Sequence, residues 1–473
     1  MTNSRTIRAD SAKVARRNTL LIVLCLAQFM LILDVAVVAV AVPSIQDDLG
    51  VAPADLQWIS TAYALAFGGF LILAGRLADL VGARRVFLIG VLGFVLASLA
   101  CGLAQSGAQM LISRGAQGLA AATVSPAALT LLTRSFSEGS ERNRALGVWG
   151  AVASGGAVAG QLLGGLITDL LDWRWIFFIN VPIGVGVIAQ GSRLLARDRL
   201  SADARLDFAG AVLLTGGLVL LVFAISNAAQ WGLDATVAAS GLGGLLALFA
   251  FVAVEWRVSE PLVRLGLFAN RAVRYGNVIC LLSAATASVV VFLSTLYLQR
   301  VLDLSPLQVG LGFAPVTLSI VVVSSYTARV VERLGLRTTL LAGALLMTLG
   351  LTLLAFVAVD GSYFVHVLPG LLLVGVGSGL LYAPAMIAAT TGVSQDEQGL
   401  ASGILNTSLQ IGGALGLAIL VSVAVAATGE ADLPSAEALT AGYRTGFRWA
   451  VPLPLLIFLS ALALPAVKRQ DAV

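Results

Sequence analysis

The segment GRLADLVGARR, residues 75–85, lies between two long apolar runs and combines three arginines, one aspartate and two glycines. The chain around it is 58% hydrophobic and only 11% charged over 473 residues, with a mean hydropathy of +0.95. Soluble globular proteins carry about 25% charged residues, so this chain cannot cover a surface that faces water. The composition predicts an integral membrane protein in which residues 75–85 connect two spans that face lipid.

Apolar runs of membrane length recur along the chain. A helix needs roughly 20 apolar residues to cross a bilayer, and it satisfies its own backbone hydrogen bonds there. We therefore predict an all-α fold with fourteen transmembrane helices, at about 19–42, 57–75, 86–104, 108–133, 145–168, 175–195, 207–226, 236–255, 275–298, 308–328, 338–358, 364–391, 399–426 and 446–467.

The arginines indicate the orientation of these helices. With the N-terminus inside, 24 of the 29 basic residues fall on the cytoplasmic side and four in outer loops. Such an excess of basic residues is typical of cytoplasmic loops. Only Lys13 and Lys468 are lysines, a usage typical of GC-rich bacterial genomes. We predict a multi-pass protein of the bacterial cytoplasmic membrane with both termini in the cytoplasm.

Several other function classes are excluded by the sequence. The formal net charge of +4 is too small to indicate a nucleic-acid partner. Cys25, Cys101 and Cys280 stand singly in apolar runs, and one histidine, His366, cannot form a metal site alone. The sequence has no GxxxxGKS/T loop to bind nucleotide phosphates. We predict no metal, no cofactor and no use of ATP.

A second copy of the opening segment occurs at residues 328–338, ARVVERLGLRT. The aligned pairs are Arg76 with Arg329, Asp79 with Glu332, Gly82 with Gly335, and Arg84 with Arg337. Both copies join the second and third helix of a six-helix unit, and paired units with a site between them are typical of secondary transporters. We predict a cytoplasmic segment 1–18, a six-helix bundle 19–200, two linker helices 201–256, a second bundle 257–467 and a tail 468–473.

Four motifs show that the whole chain resembles the major facilitator superfamily, and within it the fourteen-helix drug:proton antiporters. They are Gly75-x-Leu77-Ala78-Asp79-x-x-Gly82-x-Arg84-Arg85, Leu33-Asp34-x4-Ala39-Val40-Ala41-Val42-Pro43, Arg114-x-x-Gln117-Gly118 and Gly156-x3-Gly160-Gln161-x2-Gly164-Gly165. Two positions depart from the family pattern: Leu80 replaces a basic residue and Gln161 replaces a proline. The resemblance implies the major facilitator fold and export of drugs driven by the proton gradient.

Asp34 and Arg114 are the charges that the predicted spans place deepest in the membrane. A carboxylate at mid-membrane costs about 2.5–3.5 kcal/mol, so it faces a cavity or a partner. We predict that Asp34 faces a cleft between the bundles and couples transport to protons, with Arg114 acting on it electrostatically. A structural acid near a helix end and an arginine that snorkels outward are the alternatives. One deep acid also favours a monovalent cation or a neutral lipophile over a divalent cation as substrate.

Polar and aromatic residues of the spans are candidates for the substrate cavity. Gln117 and Ser125 share the helix face of Arg114, and Asn406 and Gln410 are four residues apart on helix thirteen. The remaining candidates are Gln161, Tyr63, Tyr326 and Tyr382. The tyrosines can offer aromatic walls to a cation, with packing as the alternative.

Two further sets of residues are predicted to serve conformational change. The inner loops are a candidate gating latch, formed by Gly75, Asp79, Gly82, Arg84, Arg85, Glu332, Arg333 and Arg337. The alternative for the arginines is that they only keep the loops inside. Helix five carries Gly156, Gly160, Gly164 and Gly165, which favour backbone-to-backbone packing, either static or as a rocking interface.

Proton-coupled export of amphipathic drugs or antibiotics is the predicted function, with protons, a small-molecule substrate and the bilayer as partners and a monomer as the working unit. A nutrient importer or uniporter of the same fold is one alternative. A non-transport membrane scaffold or enzyme is another, although an enzyme needs clustered reactive side chains at membrane depth and the sequence offers one aspartate and one arginine.

Overall fold

The computed structural model describes residues 2–53, 55–136, 140–195, 207–231, 234–258, 261–393, 397–429 and 435–464. It is an all-α structure, and fourteen of its helical segments are long and apolar enough to cross a membrane. The predicted fold class and number of spans are thus confirmed. The side chain of Asp79 lies outside the described part of the chain.

We number the fourteen spanning helices in chain order. They are α1 (Thr2–Leu49), α2 (Trp58–Val81), α3 (Ala83–Gly102), α4 (Gly107–Ser135), α5 (Ser140–Leu170), α6 (Trp175–Phe178 continued by Asn180–Leu194), α7 (Phe208–Trp231), α8 (Ala235–Glu255), α9 (Arg271–Arg300), α10 (Pro306–Leu334), α11 (Leu336–Leu354), α12 (Tyr363–Val367 continued by Leu368–Thr390), α13 (Gln398–Thr428) and α14 (Ala436–Ala450 continued by Pro452–Leu462). The face that carries the α2–α3 junction is called the inner face, and the opposite one the outer face.

The two copies of the opening segment form the same turn. Helix α2 ends at Gly82, whose φ is 105°, and α10 ends at Gly335, whose φ is 84°. Residues with a side chain rarely adopt such positive φ values, so glycine is required where one helix reverses into the next. The sequence repeat therefore corresponds to a repeated helix–glycine–helix junction.

Several predicted helix bounds were wrong: α2 and α10 continue about six residues past their predicted ends, to Val81 and Leu334, and two further differences have clear causes. Helix α1 continues through Pro43 to Leu49 instead of ending near residue 42, because one proline removes a single backbone donor without stopping the helix. The last span begins at Ala436 rather than 446. Ser435 caps its start, because the Ser435 hydroxyl accepts a hydrogen bond from the backbone N–H of Ala438 at 3.3 Å. Its first half is amphipathic and carries arginines, which hid it from a hydropathy count.

Helix packing repeats between the first six and the last six spans. Helix α1 packs against α5, and α2 and α3 pack against α4; likewise α9 packs against α13, and α10 and α11 pack against α12. The two sets meet through α2 against α13 and α5 against α10. A cavity bounded by both sets is therefore lined by equivalent helices of each.

Helices α7 and α8 stand outside this repeat. They pack against each other, and α7 also packs against both α2 and α13. At the outer end, the Gln57 side-chain amide donates to the Ser226 hydroxyl at 2.8 Å. Helix α7 therefore lies along the line where α2 meets α13.

Candidate functional site

Asp34 lies near the middle of α1 and is fully buried. Arg114 Nη1 donates to its Oδ2 at 2.6 Å, while the side-chain amides of Gln117 and Asn180 donate to its Oδ1 at 2.7 and 2.8 Å. Three donors thus surround a carboxylate that has no access to water. Pairing and hydrogen bonding are the conditions under which a charge can be buried.

Arg114 completes its own bonding inside the protein. Its Nε donates to the Ile59 carbonyl at 2.8 Å, and Nη1 also contacts Gln117 Oε1 at 2.5 Å. The guanidinium lies 4.5 Å from the centroid of the Tyr63 ring, which adds a cation–π contact. The arginine does not snorkel outward; it is held at depth by α1, α2 and α4.

Asn180 and Ser98 belong to this cluster, although sequence analysis did not select them. The Gln117 amide donates to the Ser98 hydroxyl at 2.8 Å, and Asn180 approaches the same hydroxyl at 3.4 Å. Both are polar residues within apolar runs, which is the signal that could have found them. We call Asp34, Ser98, Arg114, Gln117 and Asn180 the buried polar cluster.

A cavity of about 340 Å³ lies between the two sets of helices. Its wall includes residues of α1, α2 and α4 on one side and of α9, α12 and α13 on the other: Val35, Ser60, Tyr63, Ala64, Arg114, Ser283, Ala284, Ala287, Ser288, Ser378, Leu381, Tyr382, Leu409, Gln410, Gly413 and Leu417. Arg114 is the one charged side chain among these described lining residues. Asp34 was expected to face the cleft; instead it lies behind Arg114, which contacts both the cavity and the carboxylate.

The predicted cavity residues divide into two groups. Tyr63, Tyr382 and Gln410 line the cavity. The others lie elsewhere: Gln117 bonds to Asp34, Gln161 accepts a 2.6 Å hydrogen bond from Thr317 of α10, Ser125 is half-buried outside the lining set, Asn406 is exposed and donates to the Ser402 carbonyl, and Tyr326 is exposed beneath Arg329.

The glycines of α5 provide close helix contact. A Cβ at Gly160 would lie 2.5 Å from Ala36, and one at Gly164 would lie 2.8 Å from the Val37 Cα. Gly156 also faces α1, whereas Gly165 faces the backbone of Pro306 on α10. These residues place α5 against both α1 and the second set of helices.

The two sets of helices are closely joined at the outer face. Arg300 of α9 pairs with Asp47 of α1, and the Gln299 amide donates to the Val40 carbonyl at 2.9 Å. The Ser305 hydroxyl donates to Asp169 at 3.2 Å. Nearer the inner face, a Cβ on Gly147 of α5 would meet no atom of another described helix within 4 Å. The described polar contacts of α1 and α5 thus hold the second set of helices at the outer face.

The inner segments that were predicted as loops are helix ends, because α2 reaches Val81 and α3 begins at Ala83. Arg84 donates to the Ser192 carbonyl at 2.8 Å, and Arg76 donates to the Pro261 carbonyl at 2.5 Å. Gly75 faces Pro126 at 3.7 Å. Four other latch candidates are exposed: Arg85, Glu332, Arg333 and Arg337.

Comparison with known proteins agrees with this architecture. The chain is 41% identical over 466 residues to the cephamycin export protein CmcT of Amycolatopsis lactamdurans, which covers 97% of this chain and 95% of the relative. It is 42% identical to the puromycin resistance protein pur8 of Streptomyces alboniger, covering 96% and 92%. The crystal structure of an auto-inhibited POT family peptide transporter matches with a TM-score of 0.69 at 16% identity, covering 97% of this chain and 98% of that one.

The family model of the Major Facilitator Superfamily matches residues 24–417, a range that includes the buried polar cluster and every cavity-lining residue named above. This protein belongs to the Major Facilitator Superfamily.

Proposed function

We propose that the protein exports small amphipathic antibiotics or drugs in exchange for protons. It works as a monomer by alternating access in the bacterial cytoplasmic membrane, with both termini in the cytoplasm and without ATP. Its superfamily consists of transporters rather than enzymes, and the two relatives described above are an antibiotic exporter and an antibiotic resistance protein. The proposal rests chiefly on Arg114, which bonds to buried Asp34 and also lines the cavity.

Proton coupling follows from that double contact. A proton on Asp34 removes the negative charge that holds the Arg114 guanidinium at 2.6 Å. The guanidinium then becomes an uncompensated cation in the cavity wall, and the cavity changes its charge. In the structure described here the ion pair between Asp34 and Arg114 is formed.

The proton gradient supplies enough free energy for this cycle. One charge that crosses 100 mV releases about 2.3 kcal/mol. One pH unit adds about 1.4 kcal/mol. Together these sustain a concentration gradient of several hundredfold, at tenfold for each 1.4 kcal/mol.

The cavity wall favours a neutral or acidic substrate. Aspartate and glutamate are absent from the described lining residues, so a basic drug finds no counter-charge there. Tyr63 and Tyr382 supply aromatic faces, while Gln410 and several serines supply hydrogen-bonding groups. The volume of about 340 Å³ lies within the range of about 300–1,000 Å³ for small-molecule sites. The sequence left a monovalent cation and a neutral lipophile open as substrates, and this lining supports the neutral one.

We retain three predictions about moving parts. Residues 19–200 and 257–467 are the two transporting bundles, with 201–256 as the linker. The glycines of α5 form the surface on which the bundles rock. The inner loops act as a latch, so that Asp79→Ala inserts normally but loses transport; normal transport by this variant would contradict the latch.

Everted membrane vesicles from an efflux-deficient bacterium test the function. We expect uncoupler-sensitive accumulation of labelled neutral or acidic antibiotics, and loss of that accumulation in Asp34→Asn. The control Asp234→Asn changes an exposed acid that caps α8 and should transport normally. Uncoupler-sensitive export by Asp34→Asn would remove Asp34 as the coupling acid, and accumulation in whole cells instead of vesicles would indicate an importer.

A further inference from the structure

Two buried carboxyl groups lie next to each other away from the cavity, at the inner ends of the linker helices. Asp207 precedes α7, and its Oδ1 accepts a hydrogen bond from the Gly210 backbone at 2.8 Å. Glu255 is the last residue of α8, and its Oε2 accepts from the Val263 backbone at 2.7 Å. The two residues are only 6% and 4% exposed. One carboxyl oxygen of each acid therefore accepts a hydrogen bond from a backbone N–H, and the other oxygen of each acid is not used in this way.

The second oxygens face each other without a partner. Within the described part of the chain, neither Asp207 Oδ2 nor Glu255 Oε1 has a hydrogen-bond donor. Each lies 2.6 Å from the point that a Cβ on Gly210 would occupy, and the two carboxyl groups are within hydrogen-bonding reach of each other. Ionised carboxylates only accept hydrogen bonds, and two such charges repel when buried side by side.

One proton resolves this conflict. A proton on either acid supplies the missing donor, satisfies both oxygens and reduces two buried charges to one. A metal ion fits less well, because Ca²⁺ needs six to eight oxygen ligands and Mg²⁺ needs octahedral geometry. The described residues contain no group of three acidic, histidine or cysteine ligands. Arg76 of α2 also places positive charge near Glu255, which opposes a cation.

We propose that Asp207 and Glu255 form a proton-binding site that holds one shared proton, separate from the Asp34 site. The charged groups that act on Glu255 are Asp207 from α7 and Arg76 from α2. Arg76 also bonds to the Pro261 carbonyl in the segment that follows α8. The shared proton therefore stabilises the contact between the linker helices and α2. This contact includes Arg76, which belongs to the sequence motif 75–85.

Infrared difference spectra between acidic and alkaline pH test this site on the full chain in lipid nanodiscs. All samples carry Asp34→Asn, so that Asp34 contributes no signal, and the measurement does not depend on transport. We expect one band of a protonated buried carboxylic acid that disappears at alkaline pH. Asp207→Asn and Glu255→Gln should each remove that band, because the amide becomes the donor and the remaining acid stays ionised.

Asp234 serves as the matched control residue for Asp207. Asp234 caps α8 with a 2.7 Å bond to the Val237 backbone, as Asp207 caps α7, but it is exposed. Asp234→Asn should leave the band unchanged. Persistence of the band in both pair variants, or its absence from the parent at every pH, would overturn the proposal.

Discussion

The ion pair between Asp34 and Arg114 should contribute a large coupling energy, and a second pair in the same protein provides the comparison. Arg114 and Asp34 are 1% and 0% exposed at 2.6 Å, whereas Arg264 and Glu397 are 55% and 26% exposed at the same 2.6 Å. Removal of one member of a buried pair typically costs about 3–5 kcal/mol, because a charge remains buried without its partner. An exposed pair contributes about 0–1 kcal/mol.

A double-mutant cycle on each pair measures this difference. Arg114→Gln and Asp34→Asn, singly and together, are compared with Arg264→Gln and Glu397→Gln by reversible unfolding in mixed micelles. We expect Arg114→Gln alone to lose about 3–5 kcal/mol of unfolding free energy, with much of it recovered in the double variant. A coupling energy no larger than that of the exposed pair would refute the view that Asp34 is ionised and held by Arg114.

Three further predictions test the packing, the cavity and the outer loop. Gly164→Val should prevent folding or transport, because a Cβ there would lie 2.8 Å from the backbone of α1, whereas Gly147→Ala, with open space, should be tolerated in a fluorescence-detected size-exclusion assay. Tyr382→Ala should lower antibiotic resistance several-fold in a susceptibility test, and Tyr326→Ala, outside the cavity wall, should not. Partial burial raises the pKa of Asp55 above its ordinary value of 3.8, so the ionised side chain destabilises the folded state as pH rises. At neutral pH, Asp55→Asn should therefore unfold at a higher temperature than the parent. Equal unfolding temperatures would contradict this effect of burial.

The sequence was sufficient for the number of spans and for the internal repeat, because long apolar runs and glycine at a positive φ leave local signatures. Arg114 and Asp34 were selected as partners from their matched depth and from the absence of another deeply placed charge in the predicted spans. The orientation of Asp34 was not predictable in this way. Its direction depends on Asn180 and Gln117, which reach it from α6 and α4, and hydropathy carries no information about such contacts.

The acid pair of the linker helices shows the same limit more clearly. Asp207 and Glu255 stand at opposite ends of a two-helix segment and look like ordinary helix-end residues. Only the antiparallel packing of α7 against α8 brings their carboxyl groups together. Gln410 was found from the polar helix face that it shares with Asn406, but that face alone did not show that Asn406 lies outside the cavity wall.

The position of α7 makes the two sides of the transporter unequal toward the surrounding lipid. Where α2 meets α13, α7 lies along the seam, so hydrocarbon chains are kept away from that boundary by protein. The opposite boundary, between α5 and α10, has no such cover among the described helices. The two additional helices therefore make the two boundaries unequal, with protein covering the α2–α13 side and no described helix covering the α5–α10 side.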